Sequence, residues 1–421
     1  MNKVELLAPA GDLEKLVFAV DYGADAVYIG GEVFGLRTST KNFTYEKMKE
    51  GIAYAHSKNV KVYLALNAIP HNEDIDLLED YLKEISDLDI DAFIISDPGI
   101  FITVKQTLPN AELHLSTQAN NTNYKSADFW FSQGISRVIL ARELSISEIV
   151  DMKSKINKDL ELEVFIHGAM CMSYSGRCLL SNYMTGRDAN RGSCAQPCRW
   201  KYKVVEEKRP DQSYEIEEDE NGTYIFNSKD LCGITLVKQL IESGVSSLKI
   251  EGRAKSIYYV SEVVRVYREA IDTYYKDPEN FKVKQKWIDE LTTVSHREYT
   301  TGFLLKKPDE NSHLYNSSAY VRNYDFVGVV LEYDENTGLA LVEQRNKFVL
   351  GQEVEIIGPK YKSFKIVINE LYDEKMNPID SAKRAKEKIY IRVNQKVSLR
   401  DILRVKKNDL KIKFFLRNNF I

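Results

Sequence analysis

With 421 residues the chain exceeds what one hydrophobic core supports, so a large domain and a smaller one are expected. Hydrophobic residues at 43% and charged residues at 29% exclude a disordered or fibrous chain, and no run of about 18 apolar residues is present to span a membrane. The net charge of −4 conceals an asymmetry: residues 381–421 hold 13 Lys and Arg against 3 Asp and Glu, and the preceding 380 residues hold 45 against 59.

The opening MNKVELLAPAGD enters a strand-like run without the long apolar segment of a signal peptide, so a cytoplasmic protein is expected. Val4–Ala8 reads as the first strand and is followed by a helix over Leu13–Tyr22. Ala26–Ile29, Val60–Leu66 (after a helix around Tyr45–Ser57), Ala92–Ser96, Glu112–Ser116, Arg137–Leu140, Leu162–Ile166 and Ser247–Ile250 bring the strands to eight. Apolar runs that alternate with helical patterns indicate parallel β/α units whose strands are buried on both faces. Eight units in roughly 250 residues predict an α/β fold of the (β/α)8 TIM-type barrel class. A doubly wound sheet is the alternative, but no G-x-G-x-x-G follows an early strand.

Polar and small residues stand just after these strands: Pro9, Ala10 and Gly11; Gly30 and Gly31; Asn67; Ser96 and Asp97; Ser116, Gln118 and Asn120; Arg142 and Glu143; His167 and Gly168; Glu251, Gly252 and Arg253. Each alone fits a cap or turn residue. In a barrel, however, they converge on the rim where such enzymes place their sites. His167, Arg142, Glu251 and Arg253 are the candidates for acid–base work or anion binding, and Asn67, Gln118, Asn120 and Lys249 for substrate contacts.

About eighty residues separate the seventh strand from the eighth, far more than a βα connection needs beyond its helix. This insertion, residues 167–246, holds all five cysteines: Cys171, Cys178, Cys194, Cys198 and Cys232. An odd count in a cytoplasmic chain argues against a disulfide framework. Clustered thiolates bind soft metals, either structural zinc or an iron–sulfur cluster. There is no C-x2-C knuckle; the spacings are C-x6-C, C-x3-C and then Cys232. Wide spacing in a loop-rich segment suits a cluster, with zinc and unliganded buried cysteines left as alternatives. The later insertion, KYKVVEE and SYEIEEDENGTYIFN, reads as strands with polar turns, and the acidic Glu215–Glu220 as a solvated hairpin.

Helices over Tyr258–Tyr275 and Val283–Leu291 complete the barrel domain, 1–300; a polar connector follows at 301–323. From Tyr324 the pattern has period two, with Gly, Asn and Asp turns, which predicts a small antiparallel β-barrel over 324–421. Its basic end places Tyr390, Phe414, Phe415 and Phe420 among Lys and Arg. Basic groups neutralise phosphates and exposed aromatics stack on bases. A lysine-rich solvated tail, or a strand with its aromatics in the core, accounts for the same residues.

Glu163-x-Phe165-x2-Gly168-Ala169-Met170-Cys171-x4-Gly176-x-Cys178-x-Leu180-Ser181 resembles the signature of the U32 collagenase-like peptidase family in every fixed position. The blocks RGSCAQPCR (191–199), KDLC (229–232), LKIEGR (248–253), ELLAPAGD and HLSTQAN match as well. The resemblance implies fold and chemistry beyond the pattern itself. Its better-understood members are oxygen-independent hydroxylases with [4Fe-4S] clusters, acting on tRNA uridine, ribosomal RNA cytidine or ubiquinone precursors. By length and C-terminal domain this chain is most similar to those acting on tRNA. That implies C5 hydroxylation of the wobble uridine, prephenate as cosubstrate or ligand, and the tRNA anticodon arm as partner, with a U32 paralogue as a further candidate. It also implies cluster ligation by Cys171, Cys178, Cys194 and Cys232, with Cys198 as alternative ligand, and makes Arg253 the first choice for a prephenate carboxylate.

The family label implies proteolysis instead. The residues offer no H-E-x-x-H and no G-x-S-x-G elbow, and a thiol among four others reads as a ligand more than as a nucleophile. A Cys171/His167 pair keeps the peptidase alternative open. A non-catalytic iron–sulfur or RNA-binding partner of a paralogue is the third reading.

Overall fold

The computed structural model describes residues 3–32, 42–170, 178, 180–187, 189–191, 194–195, 197, 204–205, 213–214, 218–219, 222–223, 229–305, 321–359 and 363–407. The chain divides into two compact units, residues 1–288 with 296–320, and 289–295 with 321–421.

The first unit is a closed barrel. Strands β1 (Glu5–Pro9), β2 (Ala26–Ile29), β3 (Lys61–Leu66), β4 (Ala92–Ile95), β5 (Leu113–Leu115), β6 (Arg137–Ile139) and β7 (Glu161–Ala169) pair in parallel and in order. The eighth barrel strand, β13 (Ser247–Ile250), pairs in parallel with both β7 and β1 and closes the ring. Helices α1 (Leu13–Asp21), α2 (Tyr45–His56), α3 (Asn72–Glu84), α4 (Pro98–Thr107), α5 (Tyr124–Ser132) and α6 (Ile146–Lys155) alternate with the first seven strands. Their starts follow capping chemistry. Asp12 accepts from the Lys15 N–H, Asp97 caps a helix with Pro98 in its first turn, and Ser145 with Glu148 forms a capping box.

Between β7 and β13 lie α7 (Leu180–Thr185), two short antiparallel pairs, β8 (Val204–Val205) with β9 (Ser213–Tyr214) and β10 (Glu218–Asp219) with β11 (Gly222–Thr223), then β12 (Asp230–Cys232) and α8 (Val237–Glu242). β12 runs antiparallel beside β7, setting Cys232 opposite His167 and Leu231 opposite Gly168. After α9 (Ile257–Lys276) and α10 (Gln285–Leu291), β14 (Tyr299–Thr300) joins β12 in parallel. The sequence pattern predicts no strand at these two residues at the end of the barrel domain; they extend the sheet.

The barrel interior is partly ionic. Glu163 is fully buried and accepts from Lys249 Nζ at 2.8 Å and Arg137 Nη1 at 3.3 Å. Arg137 also donates to Glu5 at 2.6 Å and to Glu161 at 2.7 Å, while Tyr63 and Ser247 donate to Glu5. The Lys249 ammonium lies 4.5 Å from the Tyr28 ring centroid. Burial alone would raise the Glu163 carboxyl, but Lys249 and Arg137 hold it below the usual carboxylate range.

The second unit carries a seven-stranded antiparallel sheet. Its strands are β15 (Tyr324–Asp334), β16 (Leu339–Gln344), β18 (Glu353–Ile357), β19 (Ser363–Val367), β20 (Leu371–Asp373), β22 (Lys388–Arg392) and β23 (Ile402–Lys406), and β17 (Phe348–Val349) pairs separately with β21 (Ser381–Ala382). The order β19-β18-β23-β15-β16-β22-β20 packs Val330, Val342, Ile356, Ile391 and Leu403 into one core. Arg404 is buried in this unit, donating to Glu290 at 2.6 Å, Glu355 at 3.0 Å and Thr293 at 3.0 Å.

Candidate active site at the barrel rim

The rim is tied together strand to strand. Asn67, after β3, donates through Nδ2 to Ser116 Oγ at 3.3 Å, and its carbonyl accepts from Ser96 Oγ at 3.1 Å. Ser116 caps a single 3-10 turn, Thr117–Ala119, by accepting from the Gln118 N–H, and Asn120 leaves that turn in the left-handed conformation at φ 54°. Asn67 Oδ1 is buried with no hydrogen-bond partner among the described residues. An amide oxygen so placed is a ready acceptor for a bound ligand's donor.

On the opposite side Arg142 donates to the Ala169 carbonyl at 3.0 Å, with its guanidinium carbon 4.1 Å from the Phe165 ring centroid. Glu251 accepts from Tyr28 Oη at 3.1 Å. Arg253 donates to Asn42 Oδ1 at 3.0 Å, and its guanidinium lies against the backbone of Gly30, where an added Cβ would come within 2.1 Å of it. A side chain at position 30 would have to displace the guanidinium from this place. Gly168 has φ 112°, and a Cβ there would meet the Glu251 carbonyl at 2.4 Å, so the ends of β7 and β13 approach through a second glycine. Arg142, Glu251, Arg253, Asn67, Gln118 and Asn120 thus sit after the strand ends where the pattern placed them. Lys249 does not join them: its ammonium is committed to Glu163 inside the barrel.

The insertion reaches the far side of this rim. The Ile69 N–H, just past β3, donates to the Asn190 carbonyl at 3.0 Å. Asn190 Nδ2 in turn donates to the Cys178 carbonyl at 3.3 Å, and Ser181 Oγ links Arg187 to Ala195 next to Cys194. Cys178 is half-buried, Cys194 exposed and Cys232 half-buried, and none of the three is in a disulfide. Cys171 and Cys198 lie outside the described residues. Among the described residues no three His, Cys, Asp or Glu side chains are arranged to hold a metal ion. The donor chemistry nevertheless fits a thiophilic centre. Three cysteines of the insertion are described, and burial pushes the Cys232 thiol up to about 11, a cost that a bound cation reverses.

His167 lies behind Cys232. It is buried, and burial holds its imidazole down at about 3, so it is neutral. Its Nδ1 is 3.2 Å from Tyr267 Oη, its Nε2 has no partner among the described residues, and the rings of Tyr259, Tyr267 and Tyr299 surround it at 6.0, 5.5 and 5.3 Å. Asp230, in β12, binds Arg297 through the guanidinium at 2.6 and 2.9 Å and through the backbone N–H at 3.1 Å, which anchors the strand carrying Cys232. Sequence reasoning missed Tyr267, Tyr28, Asn42 and the Asp230–Arg297 pair. Tyr267 sits in a helix with Tyr258, Tyr259, Tyr274 and Tyr275, and spacing alone does not separate a site tyrosine from a packing one.

The profile of peptidase family U32 matches residues 11–314, and that of the peptidase family U32 C-terminal domain matches 322–404. The chain belongs to peptidase family U32. Among its U32 relatives, tRNA hydroxylation protein P1 of Bacillus subtilis is 44% identical over 96% of this chain and 95% of its own length. A second Bacillus subtilis relative, tRNA hydroxylation protein P2, is 34% identical over 73% of this chain and 99% of its own. A protein named Collagenase from Porphyromonas gingivalis is 33% identical over 96% and 98%. No helix among the described residues is long and apolar enough to cross a membrane.

Proposed function

We propose that this U32 chain is a tRNA-modifying enzyme that hydroxylates C5 of the wobble uridine without molecular oxygen, with prephenate as cosubstrate. The observation that carries this reading is the match, nearly end to end, to a protein named for tRNA hydroxylation. Cys171, Cys178, Cys194 and Cys232 would hold a [4Fe-4S] cluster, with Cys198 as alternative ligand. Bound there, the cluster would supply one-electron transfer and Lewis acidity.

The chain's own groups do the rest. Arg253, held against Gly30 and Asn42, grips a prephenate carboxylate through its planar fork. Arg142 adds positive charge beside the β7 end, and Asn67 Oδ1 offers an acceptor for a base or hydroxyl donor. Gln118 and Asn120, on the turn after β5 whose Ser116 accepts from Asn67, would contact the substrate, and Glu251 would take a proton from the ring or return it. The basic C-terminal end binds anticodon-arm phosphates. The presence of P1 and P2 in one organism keeps a paralogue as candidate partner.

The relative named Collagenase favours a peptidase. A cysteine peptidase needs a thiolate beside a basic imidazole. Burial leaves the His167 imidazole a weak base, and its Nδ1 faces Tyr267 Oη; Cys171, the thiol of the pair considered above, lies outside the described residues.

Reconstitution tests the proposal. Anaerobically purified protein, a chemical reductant, prephenate and tRNA from a strain lacking the gene are incubated under argon. A gain of one oxygen atom in the wobble nucleoside is expected, and its absence, with or without an added paralogue, counts against the reading. Cleavage of a collagen-like peptide that survives removal of iron would favour the peptidase.

A further inference from the structure

We infer that Tyr267, which lies outside every motif noted above, donates a hydrogen bond to the Cys232 sulfur when that sulfur ligates a cluster, and so sets the potential of the centre. The inference rests on the iron–sulfur reading of the cysteines.

The geometry is made by three elements. β7 brings Ile166 and His167, β12 brings Cys232 opposite His167, and α9 lays the fully buried Tyr267 across both. Its hydroxyl stands 3.2 Å from the Ile166 carbonyl, 3.2 Å from His167 Nδ1 and 3.9 Å from Cys232 Sγ. One phenolic proton therefore faces three acceptors. The Ile166 carbonyl already accepts the Gly233 N–H at 2.7 Å, so it is satisfied without the phenol. His167, in the tautomer with the proton on Nδ1, becomes a donor to Tyr267 Oη and ceases to compete. That tautomer leaves Nε2 as a bare lone pair, the atom found buried without a partner among the described residues.

With a neutral thiol the contact is an outer-limit O–H···S interaction. A metal-bound thiolate carries negative charge, which draws the phenolic proton to the sulfur and shortens the contact. The aromatic wall of Tyr259 and Tyr299 keeps the surroundings low in dielectric, where a single charge-directed hydrogen bond weighs more than in water. Hydrogen bonds to cluster sulfurs stabilise the reduced, more negative state and raise the reduction potential. His167 is then a positioning residue that acts through Tyr267.

The test uses the full-length, anaerobically loaded protein and an EPR-monitored redox titration. Tyr267→Phe keeps the ring and removes the donor. The expected result is iron and sulfide content as in the parent, with the midpoint potential shifted to more negative values. Site-specific 3-fluorotyrosine at 267 is nearly isosteric and a stronger donor, and the potential is expected to move the other way. Opposite shifts are not produced by loss of packing. If Tyr267→Phe fails to load, the fluorotyrosine protein decides alone. A parent protein that carries a cluster whose potential is moved by neither replacement overturns this inference and leaves the iron–sulfur reading standing. A parent that takes up no cluster overturns both.

Discussion

Lys249 is a residue whose role changes once its surroundings are known. It stands in the LKIEGR block, two residues before Glu251, and pattern alone offers it to the substrate. Its ammonium instead bridges Glu163 at 2.8 Å, deep among Arg137, Glu5 and Tyr28. Removing one partner of a buried ion pair costs about 3–5 kcal/mol, because the other charge is left uncompensated. Lys249→Met is therefore expected to lower the urea-unfolding stability by roughly that amount. Unchanged stability with weakened substrate binding would instead return Lys249 to the rim. Glu163 predicts a pH effect with a definite sign. Its folded carboxyl titrates below the usual value, so the stability it provides is present above about pH 4 and is lost as the pH falls through the lower, folded value. Glu163→Gln should flatten that acid limb in urea titrations at stepped pH. The interior position of both residues was half legible. A barrel strand is buried on both faces, so hydropathy does not tell its inner face from its outer one. The ion-pair partners come from strands more than eighty residues apart.

At the scale of elements, the eight barrel strands were readable to within one or two residues at nearly every boundary, because each is an apolar run closed by a turn or cap. β7 is the exception, running on through His167 and Gly168 to Ala169, where β12 pairs with it. β12 and β14 were not readable. Three and two residues long, in KDLC and EYTT, they owe their strand form to pairing and not to pattern. The consequence is functional, since β12 is what carries Cys232 to His167 and Tyr267. Gly168 is the hinge of this junction, with φ 112° and the Glu251 carbonyl in the place a Cβ would take. Gly168→Ala is expected to cost on the order of 1–3 kcal/mol in thermal unfolding, as strained backbone does. It should also reduce the iron retained per chain. A variant with parent stability and parent iron would show that the two strand ends have slack. Of the cysteines, Cys178, Cys194 and Cys232 can be placed on the fold, while Cys171 and Cys198 lie outside the described residues.

At the scale of the whole molecule the charge asymmetry carries the prediction. Within the described β-domain, several basic side chains are already paired: Arg392 with Glu370 at 2.5 Å, Lys365 with Glu353 at 2.8 Å, Lys407 with Asp325 at 3.1 Å, and Arg404 with two glutamates. Those pairs were invisible in a count of Lys and Arg. Lys411, Lys413 and Arg417 lie beyond the described residues, with Phe414, Phe415 and Phe420 between and after them. If this end holds tRNA phosphates, replacing Lys411, Lys413 and Arg417 by Ala weakens tRNA binding and lowers the slope of log affinity against log salt by about 2–3. An unchanged slope assigns the basic end to solvent. Tyr390, by contrast, is described, half-buried on β22 between Leu341 and Tyr372. The central claim, a U32 enzyme that hydroxylates tRNA without oxygen, is tested most directly by the mass of the wobble nucleosides in a deletion strain grown anaerobically. Any paralogous or oxygen-dependent route is removed first. Loss of 5-hydroxyuridine and its derivatives, restored by the parent gene and not by Cys232→Ala, is the predicted result; undiminished 5-hydroxyuridine in the deletion strain would contradict it.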